Sequence, residues 1–358
     1  MTPRLALVSH VDWGHIRQRP HQLAAALSVH YRVTVASPVS RNRRNLVDNP
    51  RGGIALARVF RLPGSYRSVA ALRINAMLAR AQLSAWLDAA DIVVVTSPEL
   101  WPWVERGLGE RTLVYDCMDD ALAFEQDAAV RDAKAKWERE LLARADVVSC
   151  SSDELVARCR SRGADAGRVA CVPNGWDPDA FPVQPTSPLP AHGPIELVYF
   201  GTIARWLDVD ALRRVVDACP DVTVRLIGPN EGIDLDGIAR VTIDAPKRHA
   251  ELAAAVAGTH ALLLPFRVDA LTRAVDPVKL YEYVALGKPV LAARWPAIDR
   301  FAPFVTFYRD AEHLAELLAT RHVGPPPSLN ERRAFLEPQT WAARAEQLRA
   351  AIEMRGTA

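Results

Sequence analysis

Residues 4–37, RLALVSHVDWGHIRQRPHQLAAALSVHYRVTVAS, open with a short apolar run, cross a polar loop and an amphipathic stretch, and return to a second apolar run. Arg4–Ser9 and Tyr31–Ser37 have the length of buried strands and Gln18–Val29 that of a helix, the strand, helix, strand order of a parallel sheet. The alternation continues outward. Apolar runs recur at Ile54–Phe60, Asp91–Thr96, Arg111–Asp116, Asp146–Cys150 and Arg168–Val172, with helical stretches at Val69–Ala89 and Ala128–Arg144. From Trp176 to Pro194 it stops, because prolines at 178, 182, 185, 188, 190 and 194 exclude a continuous helix or central strand. It restarts with strands at Ile195–Phe200, Val222–Ile227, Ile238–Ile243, Ala261–Leu264 and Pro289–Ala292 and helices at Val209–Ala218, Ala250–Gly258 and Val278–Leu286. Thr340–Met354 reads as a final amphipathic helix with Trp341, Ala345, Leu348 and Ile352 on one side. The pattern predicts an α/β protein with a first domain over 1–177, a Pro-rich linker over 178–194, a second domain over 195–339 and a closing helix over 340–358.

Composition narrows the function classes. A chain of 358 residues accommodates two domains, and 49% apolar with 24% charged residues excludes fibres and disorder. Forty-four basic against forty-two acidic residues leave a net charge of +2, too balanced for a nucleic-acid-binding surface. Cysteines at 117, 150, 159, 171 and 219 form no C-x-x-C pair and no metal-ligand spacing, and no secretory signal precedes them, which points to a reducing cytosol. The longest apolar runs, such as Ala261–Pro265, are far shorter than the roughly 18 residues that cross a bilayer. Basic charge is local: Arg41–Arg80 holds nine arginines and one acid, Asp48, interleaved with Phe60, Leu62 and Tyr66. That run is either a solvated face or a contact for anionic headgroups or the diphosphate of a lipid-linked acceptor. Trp101-Pro102-Trp103 is either core or an aromatic platform.

Pairs of parallel α/β domains place ligands at the carboxyl ends of their strands, so the strand-to-helix loops carry the candidate chemistry. In the first loop Asp12, Trp13, Gly14, His15 and Arg17 crowd hydrogen-bonding groups around a glycine that admits a ligand or phosphate. The G-x-G-x-x-G dinucleotide spacing is absent, and His10, His15 and His21 do not fall at the i, i+4 spacing of a helical zinc pair. Asp119 and Asp120 follow the strand Arg111–Val114, either as general base and hydroxyl ligand or as a helix N-cap. Gly201, Thr202 and Arg205, between a strand and a helix, suit a phosphate. Lys279, near the positive end of a helix, shares a face with Glu282 at i, i+3. The two are either a surface ion pair or a cation for phosphate beside a carboxylate for ribose hydroxyls.

Taken together, several segments resemble the GT-B glycosyltransferases, of the bacterial group that builds teichuronic acid and exopolysaccharides. The resemblance rests on Trp13–Ala24, V-Y-D-x-M-D-D at Val114–Asp120, A-D-x-V-x-x-S-S at Ala145–Ser152 and V-P-N-G-x-D at Val172–Asp177. It continues with Y-F-G-x-I-x-x-W-L-D at Tyr199–Asp208, L-I-G-P at Leu226–Pro229 and P-x-K-x-x-E-Y-x-A-x-G-K-P-V at Pro277–Val290. The resemblance implies two Rossmann-like doubly wound domains facing a central cleft, with the last helix crossing back to the first. It implies a metal-independent transferase that moves a sugar from a nucleoside-diphosphate sugar, UDP-linked by expectation, to a hydroxyl of a glycan, lipid-linked or small-molecule acceptor.

By the same resemblance Glu282 holds the donor ribose; Gly201, Thr202, Arg205 and Lys279 lie at the diphosphate; Gly228 and Pro246 lie at the base; and Asp276 and Leu280 complete the donor site. Where many retaining members carry a second glutamate, this chain has Ala274. The base is therefore expected at Asp119 or Asp120, with Asp120 slightly preferred. No cofactor is expected, the nucleotide-sugar being a substrate, and the expected location is cytoplasmic with peripheral contact at the inner face of the cell membrane. The alternatives are a nucleotide-sugar epimerase, a phosphorylase, or a catalytically silent nucleotide-sugar-binding scaffold.

Overall fold

The computed structural model describes residues 2–39, 53–65, 67–124 and 126–356. They form two compact units, Met1–Asn174 with Trp341–Ala358, and Gly175–Thr340. In unit 1, strands β1 (Arg4–Val8), β2 (Arg32–Pro38), β3 (Ala55–Val59), β4 (Ile92–Val95), β5 (Thr112–Cys117), β6 (Val147–Cys150) and β7 (Val169–Cys171) make one parallel sheet. Its order is β3-β2-β1-β4-β5-β6-β7. All four residues of β4, Ile-Val-Val-Val, are buried, as expected for a parallel strand covered on both faces.

The connecting helices are α1 (Arg19–Leu27), α2 (Val69–Asp88), α3 (Trp101–Val104), α4 (Ala128–Arg144) and α5 (Asp153–Ser161). Side chains of Ser68, Asp127 and Ser152 accept backbone N–H groups at the starts of α2, α4 and α5. Sequence reading left α5 unassigned although Ser152, two acids in the first turn and Arg158 and Arg160 in the last are ordinary start and stop signals.

Unit 2 repeats the plan with β8 (Ile195–Phe200), β9 (Val222–Ile227), β10 (Val241–Asp244), β11 (Ala261–Leu264), β12 (Val290–Ala293) and β13 (Thr306–Tyr308), ordered β10-β9-β8-β11-β12-β13. Its helices are α6 (Val209–Ala218), α7 (His249–Ala255), α8 (Val278–Leu286), α9 (Ala311–Ala319) and α10 (Leu329–Leu336). In each sheet the strand order reverses once, beside β1 and β4 and beside β8 and β11, and such switch points open a crevice at the strand ends.

The structure redraws several expectations. The Pro-rich stretch 178–194 belongs to unit 2 instead of hanging between units. Its extended backbone lends amides to the end of α8, from Gln184 to the Ala285 carbonyl and from Ser187 to the Gly287 carbonyl, each at 2.8 Å. The buried Arg332 guanidinium then donates to the carbonyls of Gln184, Val284 and Ala285. The unit boundaries accordingly fall after Asn174 and Thr340. β10 begins at Val241, because Ile238 is held in a turn by a bond to Leu235, and the sequence reading missed β13, α9 and α10 altogether. A last helix, α11 (Trp341–Gly356), packs in unit 1 against α1, β5 and β6, with Trp341, Ala345, Leu348 and Ile352 buried. Trp101 and Trp103 are core residues.

Candidate functional site

In unit 2 the loops after β8 and β9 are pressed together, and only glycine fits. Gly201 has φ +133° and Gly228 φ +155°; a Cβ on Gly228 would lie 1.9 Å from the Gly201 carbonyl oxygen. A Cβ on Gly201 would lie 2.1 Å from Lys279 Cε, so the lysine stem lies directly over the glycine backbone, its ammonium 5.5 Å from the Tyr199 ring centre. Lys279 sits in the first turn of α8, where free N–H groups and the helix dipole add to its charge. Thr202 is buried and its carbonyl accepts the Tyr199 hydroxyl at 2.8 Å; Arg205 is exposed and Pro246 half-buried. Gly201, Thr202, Gly228 and Lys279 are thus gathered at one end of the sheet.

The middle turn of α8 is anchored by Leu280, Tyr281 and Tyr283, all fully buried. Glu282, on the same helix, is also buried, and its partner is His249 at the start of α7: Nε2 lies 2.7 Å from Oε1. Sequence reasoning missed His249, although it follows Pro246 by three residues. Asp276 does not join this group. Its buried carboxylate is held by Arg300 and by the Tyr281 hydroxyl at 3.0 Å, so it fixes the loop ahead of α8. Ala274, in the place of the second glutamate, is 1% exposed.

In unit 1 the β1–α1 loop is internally braced. Asp12 Oδ1 accepts the Gly14 N–H at 3.0 Å, Trp13 is buried with its backbone N–H on Ser37 Oγ, His15 is buried and Arg17 is exposed. His21 donates Nε2–H to the Trp13 carbonyl and accepts the Gln18 N–H at Nδ1; burial lowers it to about 4 and keeps it neutral. This loop is therefore held in shape by its own side chains.

Asp119 and Asp120 separate clearly. Asp120 is 3% exposed and clamped by Arg158 at 2.7 Å and Arg162 at 2.8 Å. Burial alone would raise its carboxyl, but Arg162 and then Arg158 outweigh it and hold the group below the usual aspartate range. A carboxylate so held is a weaker proton acceptor than a free aspartate. Asp119 is half-exposed, two residues beyond the end of β5.

Nearby lies a pocket that the sequence reading did not find, lined by Arg61, Ser65, Asn75, Glu99, Trp103 and Lys134 among others. Glu99 and Lys134 pair there at 3.0 Å; burial pushes the Glu99 carboxyl up, but Lys134 and His10 pull it to about 2. The fold also assembles Cys117, Cys150 and Cys159, whose sulfurs lie within 4.8 Å of one another, a cluster invisible in their sequence spacing. Hydrogen bonding among the sulfurs and burial raise all three thiols, so they pack as neutral core groups.

The N-terminal sequence motifs meet at a different place. Arg19 is 1% exposed and makes a bidentate pair with Asp116, Nε to Oδ2 at 2.9 Å and Nη2 to Oδ1 at 2.8 Å. Its other contacts are the Pro173 carbonyl, Asn174 Oδ1 and Ser149 Oγ. Arg344 of α11 donates to the Asn174 carbonyl at 2.9 Å. Four motifs separated by up to 155 residues therefore converge on one buried arginine.

The arginines from Arg41 to Arg51, and Tyr66, lie outside the described residues. Within them, no helix is long and apolar enough to cross a membrane.

Residues 14–175 match the glycosyl transferase 4-like domain. The chain is 26% identical over 230 residues to TuaH of Bacillus subtilis, named as a teichuronic acid biosynthesis glycosyltransferase; the match covers 58% of this chain and 57% of that relative. Among solved structures, sucrose-phosphate synthase of Thermosynechococcus elongatus superposes with a TM-score of 0.74 at 18% identity over 99% of both chains. Anabaena HepE in complex with UDP-glucose gives 0.63 at 14% identity over 99% of this chain and 98% of that one. The chain thus has the two-domain GT-B fold.

Proposed function

We propose that this protein is a glycosyltransferase that moves a sugar from a nucleoside-diphosphate sugar, UDP-linked, to a hydroxyl of a glycan or lipid-linked acceptor in bacterial polysaccharide synthesis. The observation that carries the reading is the paired-glycine cradle of Gly201 and Gly228 under Lys279, with Glu282 one turn along the same helix. The cradle suits a diphosphate, and a buried carboxylate at that distance along α8 suits vicinal ribose hydroxyls. Lys279 and Arg205 stabilise negative charge on the departing nucleotide without a metal, and Asp119 takes the proton of the attacking hydroxyl.

The binding experiment is calorimetry against UDP, GDP, dTDP and ADP. One nucleoside diphosphate binds selectively, and Glu282→Ala weakens it at least about tenfold, the loss expected of a charge-assisted hydrogen-bond pair. Absence of binding across the panel would overturn the nucleotide-sugar reading; selective binding without turnover would move it to the silent scaffold.

Peripheral attachment to an anionic membrane is the companion proposal. The outward side of α2 carries exposed Ile74, Met77 and Leu78, with Phe60 and Leu62 also exposed and Arg58, Arg67 and Arg73 exposed in the same segment. An apolar face within a cationic segment fits an anionic lipid surface. The protein should cosediment with phosphatidylglycerol vesicles and not with phosphatidylcholine vesicles, and Met77→Asp should release it. Equal sedimentation of the wild type and Met77→Asp would sink the attachment.

A further inference from the structure

We infer that His249 is a positioning residue for Glu282, holding its carboxylate for the ribose hydroxyls of the donor. The inference rests on the reading of Glu282 as the ribose ligand.

A carboxylate only accepts hydrogen bonds, so the 2.7 Å contact between His249 Nε2 and Glu282 Oε1 places a proton on Nε2. Nδ1 is buried and has no hydrogen-bond partner, and the acid facing it is Asp177, whose Oδ2 lies 3.9 Å away. Asp177 is itself held, because its Oδ1 accepts the backbone N–H groups of Asp179 at 3.2 Å and Ala180 at 3.3 Å. Phe181 closes the side of the imidazole, edge to face at 5.1 Å.

The ring is thereby held between Glu282 and the Phe181 edge, and its Nε2–H is aimed at Glu282. This matters because the helix alone does not set the carboxylate. A glutamate has three side-chain torsions, and an ionised one buried without a donor swings toward any available cation or water. Among the described residues His249 is the single donor to Glu282, and it occupies one lone pair of Oε1. An ionised carboxylate has about four such positions, so acceptors remain for two adjacent hydroxyls, already oriented.

The test compares UDP with 2′,3′-dideoxyuridine diphosphate, which keeps base and diphosphate and lacks the ribose hydroxyls. Calorimetric affinities are measured for the wild type, His249→Phe, His249→Ala, His249→Gln and Glu282→Ala, with thermal unfolding to confirm that each is folded. The wild type should prefer UDP by about tenfold or more. His249→Phe, which keeps the ring volume, and His249→Ala should bind both nucleotides alike, whereas His249→Gln, with an amide donor, should restore part of the preference; either folded donor-less variant suffices. Retention of the full preference in these variants while Glu282→Ala loses it overturns the role of His249. Retention of the preference in Glu282→Ala overturns instead the ribose assignment, and a wild type that does not distinguish the two nucleotides, or binds neither, does the same.

Discussion

Replacing Arg19 by Met lowers the stability of unit 1 by about 3–5 kcal/mol, the cost of leaving one member of a buried ion pair alone. The contact decides the magnitude. Asp116 and Arg19 are each 1% exposed, and removal of the guanidinium strands a carboxylate whose remaining side-chain donor among the described residues is the Ser149 hydroxyl at 2.9 Å. It also takes a donor from the Pro173 carbonyl and from Asn174, which hold the end of unit 1's first segment. Asp116→Asn should cost a similar amount. The double change Arg19→Met with Asp116→Leu should recover a large part of the loss, because two matched apolar groups leave no buried charge. Urea unfolding with a double-mutant cycle measures this; single variants within about 1 kcal/mol of wild type would show that the network is not stabilising.

Asp119→Asn lowers turnover by about 100- to 10,000-fold with stability nearly unchanged, the range for loss of a general base. Asp120→Asn does the reverse. It removes charge from between Arg158 and Arg162 and costs about 3 kcal/mol, close to that of other broken buried pairs. The pH dependence separates them further. Asp120 has its folded carboxyl below the ordinary aspartate value of 3.8, so its contribution is fully present above that value and is lost as pH falls through the folded one. The wild type should lose stability over that acid window more steeply than Asp120→Asn. Turnover is read as nucleotide release from the activated sugar identified by the binding panel. Normal turnover in a folded Asp119→Asn variant removes the base from this position.

The fold was legible because parallel strands buried on both faces are near-continuous apolar runs, and β1, β4, β8 and β11 are of that kind. Elements with weaker contrast escaped. β13 has only three residues, whereas α9 carried signals that were overlooked, Asp310 as cap and Leu314, Leu317 and Leu318 on one face, as did α10 with its Ser328–Glu331 capping box. The Pro-rich stretch read as a linker because sequence reports its lack of helix or strand and not the carbonyl pairs it makes with α8.

In the candidate donor site the glycines, Lys279 and Glu282 were visible because backbone crowding and helix spacing are local properties. His249 was not, since its bond to Glu282 spans 33 residues. The clamp on Asp120 was hidden for a similar reason: Arg158 and Arg162, which lower its proton affinity, are 38 and 42 residues away. The Cys117, Cys150 and Cys159 cluster likewise needed the pairing of β5 with β6 to appear.

α11 gives unit 1 a chain in two pieces, with all of unit 2 emitted from the ribosome between them. Gly175–Thr340 is contiguous and can close as soon as it is made, whereas the face of α1 that meets α11 stays bare until the last residues emerge. The Asn174 carbonyl waits equally long for Arg344. The first half of the protein to be synthesised is therefore the last to be finished, and for about 170 residues of translation, some ten to thirty seconds at ordinary elongation rates, it stands with an apolar flank open to chaperones.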